Sequence, residues 1–259
     1  MNVKGFLFDL DGVFHISQKL IDGGNETIEW LIKKNIPYRF LTNTTTMSRL
    51  KLANKLSSYG LNISANEIIS ANYAGVLHLR SLKAKTCMLI LNKDAKDDYF
   101  EFNIDNNAPE YIVIGDIEHK WNYTLMNELF NLIFNGSKII ALHKGRYYQT
   151  EAGLQIDSGA FIQGLEYATE SKSTVIGKPK KDFFDLAIKD LGISKKNVAM
   201  VGDDLVNDIQ GAKDSGILSI LVKTGKFRQE ILNNSTIIPD YLINSIHELP
   251  IIYNKYLNL

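Results

Sequence analysis

The sequence predicts an α/β protein: a three-layer, doubly wound parallel sheet of the Rossmann-like kind with helices on both faces, and a second α/β unit inserted into its chain. Three observations carry this prediction. Apolar runs of strand length alternate with amphipathic helical patterns near both ends of the chain. Clusters of acids and hydroxyls directly follow three of those runs, and open parallel sheets bind ligands at the carboxyl ends of their strands. Thr42 ends one such run and Lys178 stands at the opening of a helix 136 positions on, far more than one strand–helix unit needs.

The elements follow in order. Phe6-Leu7-Phe8 is a compact apolar run, read as a buried strand. Residues 26–34 place Ile28, Leu31 and Ile32 on one helical face, and Tyr38 to Leu41 reads as a second strand. Residues 47–59 place Leu50, Ala53 and Leu56 together, with Gly60 as a helix stop. In the middle, 86–91, 111–114 and 138–142 read as strands, and 123–135 as a helix with Leu125, Met126, Leu129, Leu132 and Ile133 inward. GRYYQTEAGLQID reads as a hairpin, with Tyr147-Tyr148 on one arm, a turn at Glu151-Ala152-Gly153 and Leu154 to Ile156 on the other. Towards the C-terminus Pro179 opens a helix with Phe183, Phe184, Ala187 and Leu191 inward and Gly192 as its stop. A strand at 198–201, a short helix at 206–214 and a strand at 218–222 complete the pattern.

Composition narrows the function. The 259 residues are 45% apolar and 22% charged, which excludes disordered and collagen-like chains. Lys+Arg and Asp+Glu are 29 each, so no overall field favours nucleic acid or an anionic membrane. No apolar run approaches the ~20 residues of a membrane span, and MNVKGFLFDLDGVF is too short and too acidic for a signal-peptide core. Cys87 is the only cysteine, so neither an intramolecular disulfide nor a cysteine zinc site is expected, which suits a reducing cytoplasm.

Four motifs carry chemistry. Asp9 and Asp11 lie two apart in DLDGV after the first strand; two such carboxylates repel unless a cation or a shared proton compensates, although Asp and Gly also suit an ordinary turn. Thr42-Asn43 ends the second strand with a hydroxyl and an amide able to donate to phosphate oxygens, or to cap the next helix. In Gly177-Lys178-Pro179 the proline suits a first helical position, which places Lys178 at or near a cap where anions are attracted. Asp203, Asp204 and Asp208 put three acids into six residues at a strand end, costly without a cation; Mg2+ accepts such oxygen ligands, while a cap with solvated acids is the alternative.

DLDGV, LTNT, GKP and GDDLVND in this order resemble the motif series of the haloacid dehalogenase (HAD) superfamily. The insertion between the second and third motifs is similar to the type IIA, C2-capped branch, the NagD/nitrophenylphosphatase-like hydrolases. KGRYY, GLQID, LEYAT, IGKP and VKTGKFR resemble the branch that holds phospholysine phosphohistidine inorganic pyrophosphate phosphatases and haloacid dehalogenase-like hydrolase domain-containing proteins. The resemblance implies a discontinuous HAD-like core at 1–77 and 176–259 and a C2 cap domain at 78–175. It implies a Mg2+-dependent phosphatase acting on a small phosphorylated substrate. Asp9 is then the nucleophile that forms an aspartyl-phosphate, and Asp11 the general acid/base. Mg2+ would be held by Asp9, the Asp11 carbonyl and Asp203, with Asp204 and Asp208 as outer acids that orient the metal's waters and Lys178. Thr42 and Asn43 would bind phosphoryl oxygens, and Lys178 would stabilise the Asp9 carboxylate and the transferring group. Lys144, Arg146 and Tyr148 are candidate cap contacts, and caps of this type often mediate a homodimer. Two other readings stand beside this one: a low-turnover HAD-fold binding or regulatory protein, and a phospho-accepting receiver-like protein, for which the chain is long.

Overall fold

A computed structural model describes residues 2–150 and 153–258, with the side chains of Tyr148, Gln149, Thr150 and Leu154 left aside. The chain forms two compact units: Met1–Thr42, Arg49–Ile69 and Lys178–Leu259 make the first, and Asn43–Ser48 with Ser70–Gly177 the second.

The first unit is built on a six-stranded sheet in the order Tyr241–Ile243, Leu218–Val222, Val198–Gly202, Gly5–Phe8, Tyr38–Thr42, Ile68–Ser70. The first five strands pair in parallel. Gly5–Phe8 lies inside, with Phe8 opposite Val201 on one side and Phe40 on the other. Both faces of this strand are covered: Phe6, Leu7 and Phe8 are all 0% exposed, which explains why it reads as an unbroken apolar run. The Phe8 ring meets Phe14 edge-on at 5.4 Å, and Phe14 meets Phe40 at 5.2 Å, so the core cements the two strands that end at the first two motifs.

Helices Gly24–Lys33, Arg49–Ser58 and Lys181–Leu191 fall close to their predicted places. Phe183, Phe184, Ala187 and Leu191 are buried as expected, and Gly192 caps their helix. Two inward assignments fail: Ile32 is 61% exposed and Leu50 is 62% exposed. The inner face of the first helix is instead shared by Thr27, Ile28 and Leu31, with the Thr27 hydroxyl within hydrogen-bond reach of the Gly23 and Ile246 carbonyls. Leu50 lies in the opening turn of its helix, where the buried face has yet to begin. Pro179 also does not open its helix. That helix starts at Lys181, and Lys178 lies in the turn before it, joined to Pro179 by a cis peptide.

The second unit carries a parallel five-stranded sheet, Thr174–Val175, Lys138–Ala141, Tyr111–Ile114, Thr86–Ile90, Asn103–Ile104. The helices Tyr123–Phe134 and Ser158–Thr169 share a core with it, in which Leu129, Ile133, Ile162 and Leu165 meet Ile112, Ile114 and Ile139. Of the predicted inner face of the first of these helices, Leu129 and Ile133 are buried and Leu125, Met126 and Leu132 pack at the margin. Trp121 stacks on Phe161 with centroids 4.6 Å apart. Tyr147–Thr150 and Gly153–Ile156 form the expected antiparallel hairpin; its turn at Glu151-Ala152 lies outside the described residues.

Candidate active site

Parallel pairing brings the carboxyl ends of three neighbouring strands to one edge of the six-stranded sheet. Asp9 directly follows Gly5–Phe8, and its N–H donates to the Val201 carbonyl at 2.9 Å. Thr42 closes Tyr38–Thr42 and is buried. Asp203 directly follows Val198–Gly202, and Asp208 lies one turn on, in the π-helical segment Leu205–Gln210. Asp204 starts that segment: its Oδ1 accepts from the Val206 and Asn207 N–H groups, which fastens a helix start that would otherwise have open donors. Asp208 Oδ2 in turn accepts from the Asp204 N–H at 3.0 Å.

Lys178 joins these loops. Its Nζ donates to Asp9 Oδ1 at 2.6 Å, Asp208 Oδ1 at 2.7 Å and the Leu41 carbonyl at 3.1 Å. Carboxylate oxygens of Asp9, Asp203 and Asp208 lie within 4.8 Å of one another, and all three residues are buried. Three carboxylates and one ammonium leave a formal charge of −3 + 1 = −2 in this interior. Asp203 offers one open ligand atom: its Oδ2 accepts from the Lys226 N–H at 2.6 Å, while its Oδ1 is buried without a hydrogen-bond partner. A buried anionic oxygen left so costs several kcal/mol unless a cation or a proton meets it. Hard oxygen donors, a deficit of two positive charges and an open carboxylate oxygen fit a divalent cation such as Mg2+.

The protonation equilibria show the same deficit. Burial pushes the Asp9 carboxyl up to about 6 against the pull of Lys178. Burial and the neighbouring Asp208 push Asp203 up to about 6. Burial pushes Asp208 up to about 7, again against Lys178. Burial works against the Lys178 ammonium, but the carboxylates of Asp208 and Asp9 outweigh it and hold its proton more firmly than usual. Asp204 is also desolvated, yet the Asn207 N–H and Lys226 keep its carboxyl below the ordinary range.

The other motif residues lie apart from this cluster. The Asp11 side chain is 74% exposed, with its Oδ1 3.6 Å from His15 Nδ1. Gly12, at φ +84°, turns the chain between them; a Cβ there would stand 1.9 Å from Asp203 Oδ2. Asn43 belongs to the second unit, where its Oδ1 lies against Gly177, 2.7 Å from where a Cβ on that glycine would be. Among the cap candidates, Lys144 Nζ is held by Glu166 at 2.5 Å, and the exposed Arg146 guanidinium lies over the Tyr147 ring at 5.7 Å. The Tyr148 side chain lies outside the described residues. His143 is structural in its contacts, set among the Gly145 N–H, Ser158 Oγ and the Asp157 carboxylate. Cys87 is buried, and burial pushes its thiol up to about 11, which disfavours the reactive thiolate.

Sequence reasoning missed Lys226, His15 and the Leu41 carbonyl. Lys226 lies in VKTGKFR, but a lysine in a loop reads as solvated. A main-chain donor such as the Lys226 N–H leaves no residue-type signal at all.

Known proteins place the chain. Residues 6–105 match the haloacid dehalogenase-like hydrolase family model, and residues 175–249 match a second HAD-hydrolase-like one. Haloacid dehalogenase-like hydrolase domain-containing protein 2 of Homo sapiens is 37% identical over 226 residues, covering 87% of this chain and 86% of its own. Phospholysine phosphohistidine inorganic pyrophosphate phosphatase of Homo sapiens is 32% identical over 252 residues, covering 95% and 92%. The 4-nitrophenylphosphatase of Thermotoga maritima superposes with a TM-score of 0.88 at 27% identity, covering 95% of this chain and 96% of its own. The chain belongs to the haloacid dehalogenase-like hydrolase family, in its type IIA branch of phosphatases.

Proposed function

We propose that the protein is a Mg2+-dependent phosphatase that hydrolyses a small phosphorylated substrate through an aspartyl-phosphate on Asp9. The observation that carries this reading is the buried Asp9–Asp203–Asp208 cluster, bound to one lysine and short of two positive charges. A receiver-like protein would use a similar cluster of acids and lysine, but it needs about one small domain and no insertion of the length that separates Thr42 from Lys178 here.

In this reading 1–77 and 176–259 serve as catalytic core and 78–175 as cap. The two compact units support the division, with Asn43–Ser48 and Ser70–Gly177 grouped together. Asp9, the Asp11 carbonyl and Asp203 would hold the cation, which when bound neutralises charge between the carboxylate and the incoming phosphate. The Asp9 carboxylate forms a bond to phosphorus as the bond to the leaving oxygen breaks, and Asp11 gives that oxygen its proton. Asp11, again a carboxylate, then takes a proton from the water that attacks phosphorus, and Asp9 leaves as a carboxylate with phosphate released. Lys178 holds Asp9 Oδ1 in place and offsets charge on the transferring group. Thr42 and Asn43 donate to phosphoryl oxygens, and Asp208 and Asp204 hold Lys178 and the Asp203 loop in position.

The test is phosphate release from 4-nitrophenyl phosphate with Mg2+, with EDTA, and in the variants Asp9→Asn and Asp11→Asn. Release that stops in EDTA and in Asp9→Asn, with a slowed or trapped phosphoenzyme in Asp11→Asn, is the expected result. Undiminished turnover in Asp9→Asn excludes the mechanism.

A further inference from the structure

Three residues after the Leu218–Val222 strand have no part in the mechanism above, yet they enclose one of its carboxylates. The Thr224 hydroxyl donates to the Gly12 carbonyl. Two residues on, the Lys226 N–H donates to Asp203 Oδ2 at 2.6 Å. Between them Gly225 sits at φ +58°, and a Cβ there would stand 1.9 Å from Asp203 Oδ2 and 2.5 Å from the Gly12 Cα. The Asp203 carboxylate is thus pressed between two glycine backbones, one from the Asp9–Asp11 loop and one from this segment. One of its oxygens is engaged by a main-chain donor, and the other, Oδ1, is buried and unpartnered.

We propose that Thr224-Gly225-Lys226 is a positioning strap, which fixes the rotation of the Asp203 carboxylate so that Oδ1 is kept for a divalent cation. The inference rests on the reading of this cluster as a cation site. A carboxylate with both oxygens open can turn about its last bond, spreading its population over orientations that do not serve a ligand. A main-chain N–H anchored at a hydrogen-bonded loop cannot swing away as a lysine side chain can. Thr224 supplies the anchor: its bond to the Gly12 carbonyl ties the strap to the loop that carries Asp9 and Asp11, so the ligand-bearing loops are held in mutual register. The Lys226 ammonium does a separate task on Asp204 Oδ2, at 3.2 Å. Partners that orient a metal ligand in this way are worth roughly 10–100-fold in metal affinity.

The experiment is calorimetric titration of the EDTA-stripped, full-length protein with Mg2+ and no substrate present, on the parent, Thr224→Val and Thr224→Ser. Thr224→Val should weaken Mg2+ binding about 10-fold or more, and Thr224→Ser, which keeps the hydroxyl, should stay within about threefold of the parent. Both variants should melt within a few degrees of one another in EDTA, which separates positioning from loss of fold. Thr224→Ala replaces Thr224→Val if the latter does not fold. Equal Mg2+ affinity in the parent and the hydroxyl-free variant overturns the strap alone, as does an equal loss in Thr224→Ser. A parent that takes up no Mg2+ overturns the cation site and the strap with it.

Discussion

Replacing Lys178 with methionine keeps most of the side chain's length and removes the ammonium that Asp9 and Asp208 share at 2.6 and 2.7 Å. With the lysine in place, Asp9 still titrates near 6 and Asp208 near 7, against 3.8 for an ordinary aspartate. At about 1.4 kcal/mol per pKa unit, keeping each ionised in the metal-free protein costs on the order of 3–4 kcal/mol. The folded state therefore binds more protons than the unfolded one. Stability falls as pH rises from about 4 through the folded values, and the full penalty is present above them. Without Lys178 both carboxyls lose their main attraction, their folded values climb, and the fall extends to higher pH. Breaking a buried pair in this way costs roughly 3–5 kcal/mol, which at about 2–4 °C per kcal/mol is a drop of roughly 10 °C in melting temperature. At pH 5 both carboxyls can keep their protons and need no counter-charge, so the gap narrows. The assay is thermal unfolding of parent and Lys178→Met in EDTA from pH 5 to pH 8. A gap that is the same at both ends refutes the electrostatic reasoning and reduces Lys178 to packing.

Two further outcomes follow from the same geometry. Mg2+ should raise the melting temperature of the parent more at pH 7.5, where the cluster is largely ionised, than at pH 5, by about 2.7 kcal/mol of stability at a hundred times the dissociation constant; no shift up to about 10 mM, roughly tenfold above the dissociation constants of weak extracellular cation sites, counts against a cation site. Phe14→Ala, which removes a fully buried ring from between Phe8 and Phe40, should cost about 3–5 kcal/mol in urea unfolding and lower phosphate release by loosening the strands that carry Asp9 and Thr42.

What the sequence reveals depends on how local the cause is. Gly5–Phe8, Val198–Gly202 and Leu218–Val222 are legible because a strand covered on both faces is apolar throughout, and the acids after them mark the ligand edge. The edge strands Ile68–Ser70 and Tyr241–Ile243 escape, since three residues are too few to show a period. Ile32 follows Leu31 directly and is turned outward by the helix's 100° step, so an apolar residue at the rim of a stripe is not an inner one. Asp208 is legible as one acid of a cluster, and its tie to Lys178, thirty residues earlier, follows from the family resemblance and not from spacing or pattern. The Lys226 N–H was illegible because every residue but proline has one.

The strand that presents Asp9 is made well before its neighbour Val198–Gly202, which comes almost two hundred residues later. During synthesis Phe6, Leu7 and Phe8 must therefore wait, half-covered at best, while the whole second unit is built. Such delayed closure is slow and exposes sticky chain to neighbours. A chain that stops before residue 198 leaves this apolar strand without its Val198–Gly202 partner, exposing surface that favours aggregation over partial activity.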